Sequence, residues 1–578
     1  MIGSELVNHG LLALALVAPL LAAAAPRATI FAALAPLPTI GLAFAEPFEV
    51  GFRELLLGAR FGVSTVNAPF LLIAGCLWTA ATWFARHYMA HDGHANRYHV
   101  FHRLAMAGNI GLILAQDLAT FYFFFALMSL ASYPLVIHDG RTISRRAGRV
   151  YLALALLGEV VQFAAFSVIA SQAGGWTFPA ARSALTESPY RPWLLGMVIA
   201  GFGIKAALVP LHVWLPLAHP VAPTPASAVL SGSMIKAGLL GWLNLLPLGG
   251  MAAPALGEGL MVAGLLGVFG AALVGVTQRQ PKTVLAYSSI SQMGLMILAV
   301  GIALASPEAT RYVLPAVFLY ALHHALAKCA LFLGVGMAAS APRANIGRIA
   351  LWIGLAICGL ALAGAPLTSG AVAKVFLKAV AAAAPGEWPD RLAWLLPCGA
   401  VGTTLLMARF LWTLRAAIDS TPDSHHAASR SIWMPWTALL ALVILLPWWF
   451  AQALHAEKTA QALSMKYAGT LAVPVVVGAL AAMAARYAFS SRAPEIPAGD
   501  VLAIPAWAVS RLTSFYRLQR PSLGRGIRAA EEARSLARDG MKGALRGLAG
   551  AERYLRTLAV AGFALALLAA LTIWRLAP

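Results

Sequence analysis

Charge is scarce in this 578-residue chain: 11% of its residues are Asp, Glu, Lys or Arg, against 60% that are apolar. Soluble domains carry about 25% charge, so a water-soluble globule, a disordered chain and a fibre are excluded together. Cysteine is scarcer still. The four present, Cys76, Cys329, Cys358 and Cys398, lie scattered in apolar stretches with no paired spacing, which offers neither a disulfide framework nor a zinc or iron–sulfur site. Acidic residues number 22 against 42 basic ones. In so apolar a chain the excess belongs to cytoplasmic loops, not to a nucleic-acid partner. A glycine-rich phosphate loop, a nucleophile motif and a set of redox ligands are also missing. No catalytic centre, metal or cofactor of the chain's own is therefore expected.

What is present is a succession of long apolar runs, with a mean hydropathy of +0.76. A helix needs about 20 apolar residues to cross a bilayer, and about sixteen such segments can be marked off, from 9–25 to 556–576. The fold class expected is an all-α polytopic membrane protein. Met1 to Ala25 ends in alanines like a secretory signal, but it lacks a basic opening and carries Glu5, so it reads as a retained first span. Basic residues fall with one parity. Arg27, the run Arg86 to Arg103, the run Arg141 to Arg149, Arg279 with Lys282, and Arg343 with Arg348 all follow odd-numbered spans. By the positive-inside rule those connections face the cytoplasm and the N-terminus lies outside.

The expected organisation is N-terminal helices in 1–100, a core in 101–420, further helices in 421–487, a basic segment in 488–555 and a last span in 556–578. Arg525 to Arg556 reads as a basic amphipathic helix, either against the inner membrane face or a neighbouring subunit, or as a solvated linker.

Charge at bilayer depth costs several kcal/mol unless it is paired or hydrated. Lys205, Lys236, Lys328 and Lys374 nevertheless stand inside apolar runs, with His324 one turn before Lys328 and Glu159 interrupting Leu152 to Val168. Any one of them alone could be a snorkelling or locally paired side chain; a series in successive segments reads as a proton relay, because desolvation lets a lysine gain and lose its proton as neighbouring charge changes. Lys205 precedes Pro210, Pro216, Pro220, Pro223 and Pro225, and Lys374 follows Gly364, Pro366 and Gly370. Both segments, 193–214 and 346–384, read as broken helices, tolerable only where they line a wet cavity or are buried in protein. They occupy matching places in two runs of five spans, 103–247 and 260–416, so the expected arrangement is an inverted repeat.

The stretch GFGIKAALVPLHVWLPLAHPVAPTPASAVLSGSMIKAGLL at Gly201 to Leu240 resembles the signature of the antiporter-like subunits of respiratory complex I and its relatives. QPKTVLAYSSISQMG, LYALHHALAKCALFLGVG and GAPLTSGAVAK extend the resemblance over residues 60–420. VWLPLAHPVAP and SGSMIK look most like the large membrane subunit of group-4 hydrogenases and formate hydrogenlyase. The resemblance implies a proton-translocating subunit of a redox-driven complex in the bacterial cytoplasmic (inner) membrane, with other membrane subunits and a peripheral redox arm as partners. The alternative it implies is a subunit of a secondary cation/proton antiporter, with sodium as the competing ion.

Carried onto this sequence, the resemblance makes Lys205 the lysine of the first broken helix and Lys236 the connecting lysine. It makes His324 the central histidine, with Lys328 a turn beyond, and Lys374 the lysine of the second broken helix. His212 and His219 match histidines near the first break. One departure stands out: the family glutamate that partners the first lysine falls at Ala126. Glu159 is the replacement expected on depth, since at about 1.5 Å per residue both positions lie near the midplane; the alternative is an altered or inactive half-channel. Asp117 reads either as an interfacial acid or as a proton collector. His87, His91, His94, His99 and His102 read as titratable loop histidines, with no metal site expected.

Overall fold

The computed structural model describes residues 2–338, 346–419, 430–488 and 495–499. The basic segment 488–555, apart from its short described parts, and the last span lie outside those residues, as does Arg343. By internal contacts the chain divides into two units, residues 1–51 with 60–498 and residues 52–59 with 499–578. Every helix described belongs to the first; of the second, the described part is chiefly the turn 52–59, where Leu56 and Leu57 hold positive φ.

Among the described residues, 11 helices are long and apolar enough to cross a membrane, and two shorter apolar stretches, Thr29–Leu42 and Gly347–Ala363, accompany them. The polytopic all-α reading holds, and the count of sixteen spans is not reached by this measure. The second expected crossing, 28–46, is instead two short helices, Thr29–Leu34 and Leu37–Leu42, parted at Pro36 and followed by a hairpin of strands β1 (Phe48–Phe52) and β2 (Ala59–Val63). Proline inside a helix removes an amide and clashes with the preceding turn. The fourth crossing begins earlier than hydropathy indicates, at Ala95, so His99 and His102 are buried in the helix Ala95–Leu114 and are not loop residues. Polar side chains depress hydropathy there, yet His102 is satisfied internally by Tyr98 and Thr82.

The core lies in three helices, Thr224–Leu245, Pro281–Ala305 and Thr310–Ala338, whose apolar stretches are buried throughout. Outer helices expose Val160, Phe163, Leu273 and Leu445, as expected where lipid tails replace water. Pro254–Gly275 and Pro281–Ala305 approach through paired glycines. A Cβ on Gly294 would stand 2.5 Å from the Gly264 carbonyl oxygen, and one on Gly301 would stand 2.7 Å from that of Gly257. Small residues at such spacing let membrane helices pack backbone to backbone.

Both expected broken helices are broken. Arg191–Lys205 ends at Lys205 and resumes as Trp214–Val221, with Ala207 at φ 59 between them. Ile346–Ala363 stops before Gly364, at φ 78, and Ser369–Ala382 follows, with Leu367 at φ 63. The lysine stands before the first break and after the second.

Candidate functional site

Lys205 is positioned by close helix contact. Gly158 and Gly201 let Thr142–Ala173 and Arg191–Lys205 meet, since a Cβ on Gly201 would lie 2.8 Å from Gln162 Cγ. The Lys205 ammonium donates to Ser129 Oγ and to the Tyr151 hydroxyl, each at 3.2 Å, and Tyr151 donates in turn to the Ser129 carbonyl at 2.9 Å. Three rings surround the same nitrogen: Tyr151, Trp214 and Phe125, with centroids at 5.4, 5.7 and 5.9 Å. Glu159, buried on the facing helix, is within electrostatic range of Lys205 and within reach of the Ser129 hydroxyl. Among the described residues no direct ion pair joins Glu159 to Lys205. Glu159 Oε1 and both side-chain polar atoms of the neighbouring Gln162 find no hydrogen-bond partner there.

The breaks free carbonyls that must be satisfied at membrane depth. At the first, Leu208 N donates to the Gly203 carbonyl at 2.8 Å and Trp214 Nε1 to the Ile204 carbonyl at 2.8 Å. At the second, the part-buried Lys374 ammonium donates to the Ala363 carbonyl. Gly364 makes this possible, because a Cβ there would lie 2.4 Å from Lys374 Cδ.

Between the breaks lies the centre. A single π-turn, Leu230–Met234, interrupts Thr224–Leu245 just before Lys236; such turns offset the backbone and recur at functional sites. The Lys236 ammonium takes the Ser231 carbonyl at 3.0 Å and contacts His324 Nδ1 at 2.7 Å. Lys328, fully buried one turn beyond, donates to the Leu285 carbonyl at 2.9 Å. His219 stacks on Phe332 with centroids 4.6 Å apart and is within electrostatic range of Lys282 and Lys328. His212 is buried at the first break.

His323 is the residue that the sequence reading passed over. Its Nδ1 contacts Ser369 Oγ at 2.9 Å, and it is within electrostatic range of both Lys236 and Lys374. It joins the centre to the second break. The doubled histidine in ALHHALAK was the available signal. Asp117 stands apart from the row: its Oδ1 accepts from Thr120 N at 2.8 Å as the N-cap of Leu118–Val136, and its Oδ2 accepts from Arg60 N at 2.8 Å. Both bonds satisfy backbone amides, one at the start of that helix and one on β2.

On the side the positive-inside rule assigns to the cytoplasm, Asp92 Oδ1 meets His138 Nε2 at 3.1 Å. Burial would raise the Asp92 carboxyl, but hydrogen bonds from the His94 amide and the His138 ring hold it below the ordinary carboxylate value. Among the described residues no group of three or more His, Cys, Asp or Glu is arranged to hold a metal ion.

Residues 115–385 match the family model described as NADH:quinone oxidoreductase/Mrp antiporter, transmembrane. Hydrogenase-4 component B of Escherichia coli (strain K12) is 32% identical over 310 residues, covering 51% of this chain and 44% of that protein. NADH-quinone oxidoreductase subunit M of Pseudomonas aeruginosa is 34% identical over 252 residues, covering 40% of this chain and 47% of that protein. The chain thus spans about half the length of these curated relatives. The solved structure of the Mrp complex from Dietzia sp. superposes with a TM-score of 0.69 at 20% identity, over 92% of this chain and 63% of that one. Over residues 115–385 the chain is therefore similar to these membrane subunits, and it shares the fold of the Mrp complex structure.

Proposed function

We propose that this multi-pass membrane protein is the proton-translocating subunit of a multisubunit, redox-driven complex of hydrogenase or quinone-oxidoreductase type. On this reading it lies in a bacterial inner membrane with its N-terminus outside, and it takes its energy from partner subunits. The observation that carries the reading is the buried Lys236–His324 contact at 2.7 Å, linked electrostatically through His323 to Lys374. Two cationic groups at that distance cannot both hold a full charge in a low-dielectric core. A proton on one therefore moves when charge nearby changes, and a signal arriving at either end is passed along.

The roles follow from position. Lys205, with Glu159 behind Ser129, receives a proton at the first break; Lys236, His324 and Lys328 share it; His323 and Lys374 release it at the second. Glu159 supplies negative charge to Lys205 at longer range, across Ser129 and without a direct ion pair, where the family carboxylate is absent at Ala126. The test is the native complex reconstituted in sealed vesicles, with Lys205→Ala and Lys374→Ala compared for acidification. Loss of transport in both with the complex intact is the expected result; unchanged transport in both overturns the relay.

A cation/proton antiporter subunit is the second reading, favoured by a family description that names both kinds of assembly. Proton movement driven by an imposed sodium gradient, with no redox substrate present, selects it.

A further inference from the structure

Lys205 has lost the carboxylate that its motif leads one to expect, and Glu159 does not touch it. What does touch it is aromatic. Phe125, adjacent to Ala126, and Tyr151 and Trp214 from two other helices place their rings within 6 Å of the ammonium. That is the distance at which a ring's negative face attracts a cation, most strongly when water is excluded. Ser129 and Tyr151 add two hydroxyl acceptors. Resting on the reading above, we infer that Lys205 is held as a cation by an aromatic cage of Phe125, Tyr151 and Trp214 in place of an ion pair, and that these rings set the pH range over which the first site loads.

The cage stabilises the ammonium without an anion that must be neutralised or moved away when the proton leaves. Among the described residues, Glu159 is the one carboxylate coupled to Lys205, and it acts across Ser129. The other titratable group against the amine is the Tyr151 hydroxyl. Removing a ring disfavours the charged amine, so loading fails at a lower pH and the alkaline limb of the transport profile moves down.

The test is the pH profile of vesicle acidification by the native complex carrying Trp214→Leu, Trp214→Phe, Tyr151→Leu, Tyr151→Phe or Glu159→Gln. The leucine variants are expected to shift the alkaline limb down by about 0.5–1 pH unit, while Trp214→Phe, which keeps a ring face, stays near wild type and Tyr151→Phe, which keeps the ring but loses the hydroxyl acceptor, shifts less than Tyr151→Leu. Trp214→Phe also loses the bond to the Ile204 carbonyl, so a purely structural role would make its profile resemble that of Trp214→Leu. Matching shifts in the leucine and phenylalanine variants overturn the cage, and so does a larger shift from Glu159→Gln than from either leucine variant. Unchanged transport in Lys205→Ala overturns the underlying reading instead.

Discussion

A lysine deep in an apolar bundle is tolerated in proportion to the oxygens and ring faces it finds, and the lysines here find different ones. Lys236 has a carbonyl and a histidine, Lys328 a carbonyl, Lys374 the carbonyl freed by a helix break. Because Lys236 and His324 share one contact, His324→Ala is expected to lower coupled proton transfer by about tenfold or more, measured as acidification per turnover in vesicles; unaltered coupling contradicts a shared proton. A second expectation concerns Asp92. Its carboxyl is held below the ordinary value, so its contribution to stability is present above the unfolded carboxylate value and is lost as pH falls through the folded one. The protection of the His94 amide, measured against intrinsic exchange at each pH, should therefore fall on acidification in the wild type and show no such step in Asp92→Asn. Apart from His323, the lysines and histidines were legible because an ionisable letter inside an apolar run is itself a signal. The cage was not, because Phe125, Tyr151 and Trp214 look like ordinary apolar lining until the fold brings three helices together.

Helices in this protein are built to approach closely and to break at defined places. The Gly264–Gly294 contact leaves no room for a side chain, so Gly294→Val is expected to cost about 1–3 kcal/mol through overpacking, read as a lower unfolding temperature in detergent. The first break holds a non-glycine residue, Ala207, at φ 59, a region that costs an L-residue about 1–2 kcal/mol. Ala207→Gly should match or exceed the wild type in thermal stability, whereas a β-branched Ala207→Val should fall below it; equal losses in both would mean that the methyl group matters more than the backbone. Both breaks were legible from Pro210 and from Gly364, Pro366 and Gly370. The hairpin at Phe48–Val63 and the π-turn before Lys236 were not. The hairpin follows a segment that hydropathy reads as a crossing, and a one-residue offset inside a helix leaves no mark on periodicity.

At the scale of the whole molecule, the proposed N-out orientation rests on the loop charges alone. In a cysteine-free background, Asp139→Cys should react with a membrane-impermeant thiol reagent only from the cytoplasmic side and Arg60→Cys only from the outside; the reverse pattern overturns the N-out assignment. The polytopic class and the family resemblance were readable from composition and motifs, since both are carried by contiguous letters. The start of Ala95–Leu114 was not, because burial of His102 and Arg103 depends on partners distant in the chain, among them the Ala22 and Ala25 carbonyls that take the Arg103 guanidinium. The central claim is that protons pass through the Lys236–His324 contact, and the most direct measurement is the ratio of protons delivered to substrate turned over by the native complex in sealed vesicles, with and without Lys236→Ala. The account predicts that turnover persists while the ratio falls; an unchanged ratio would contradict it.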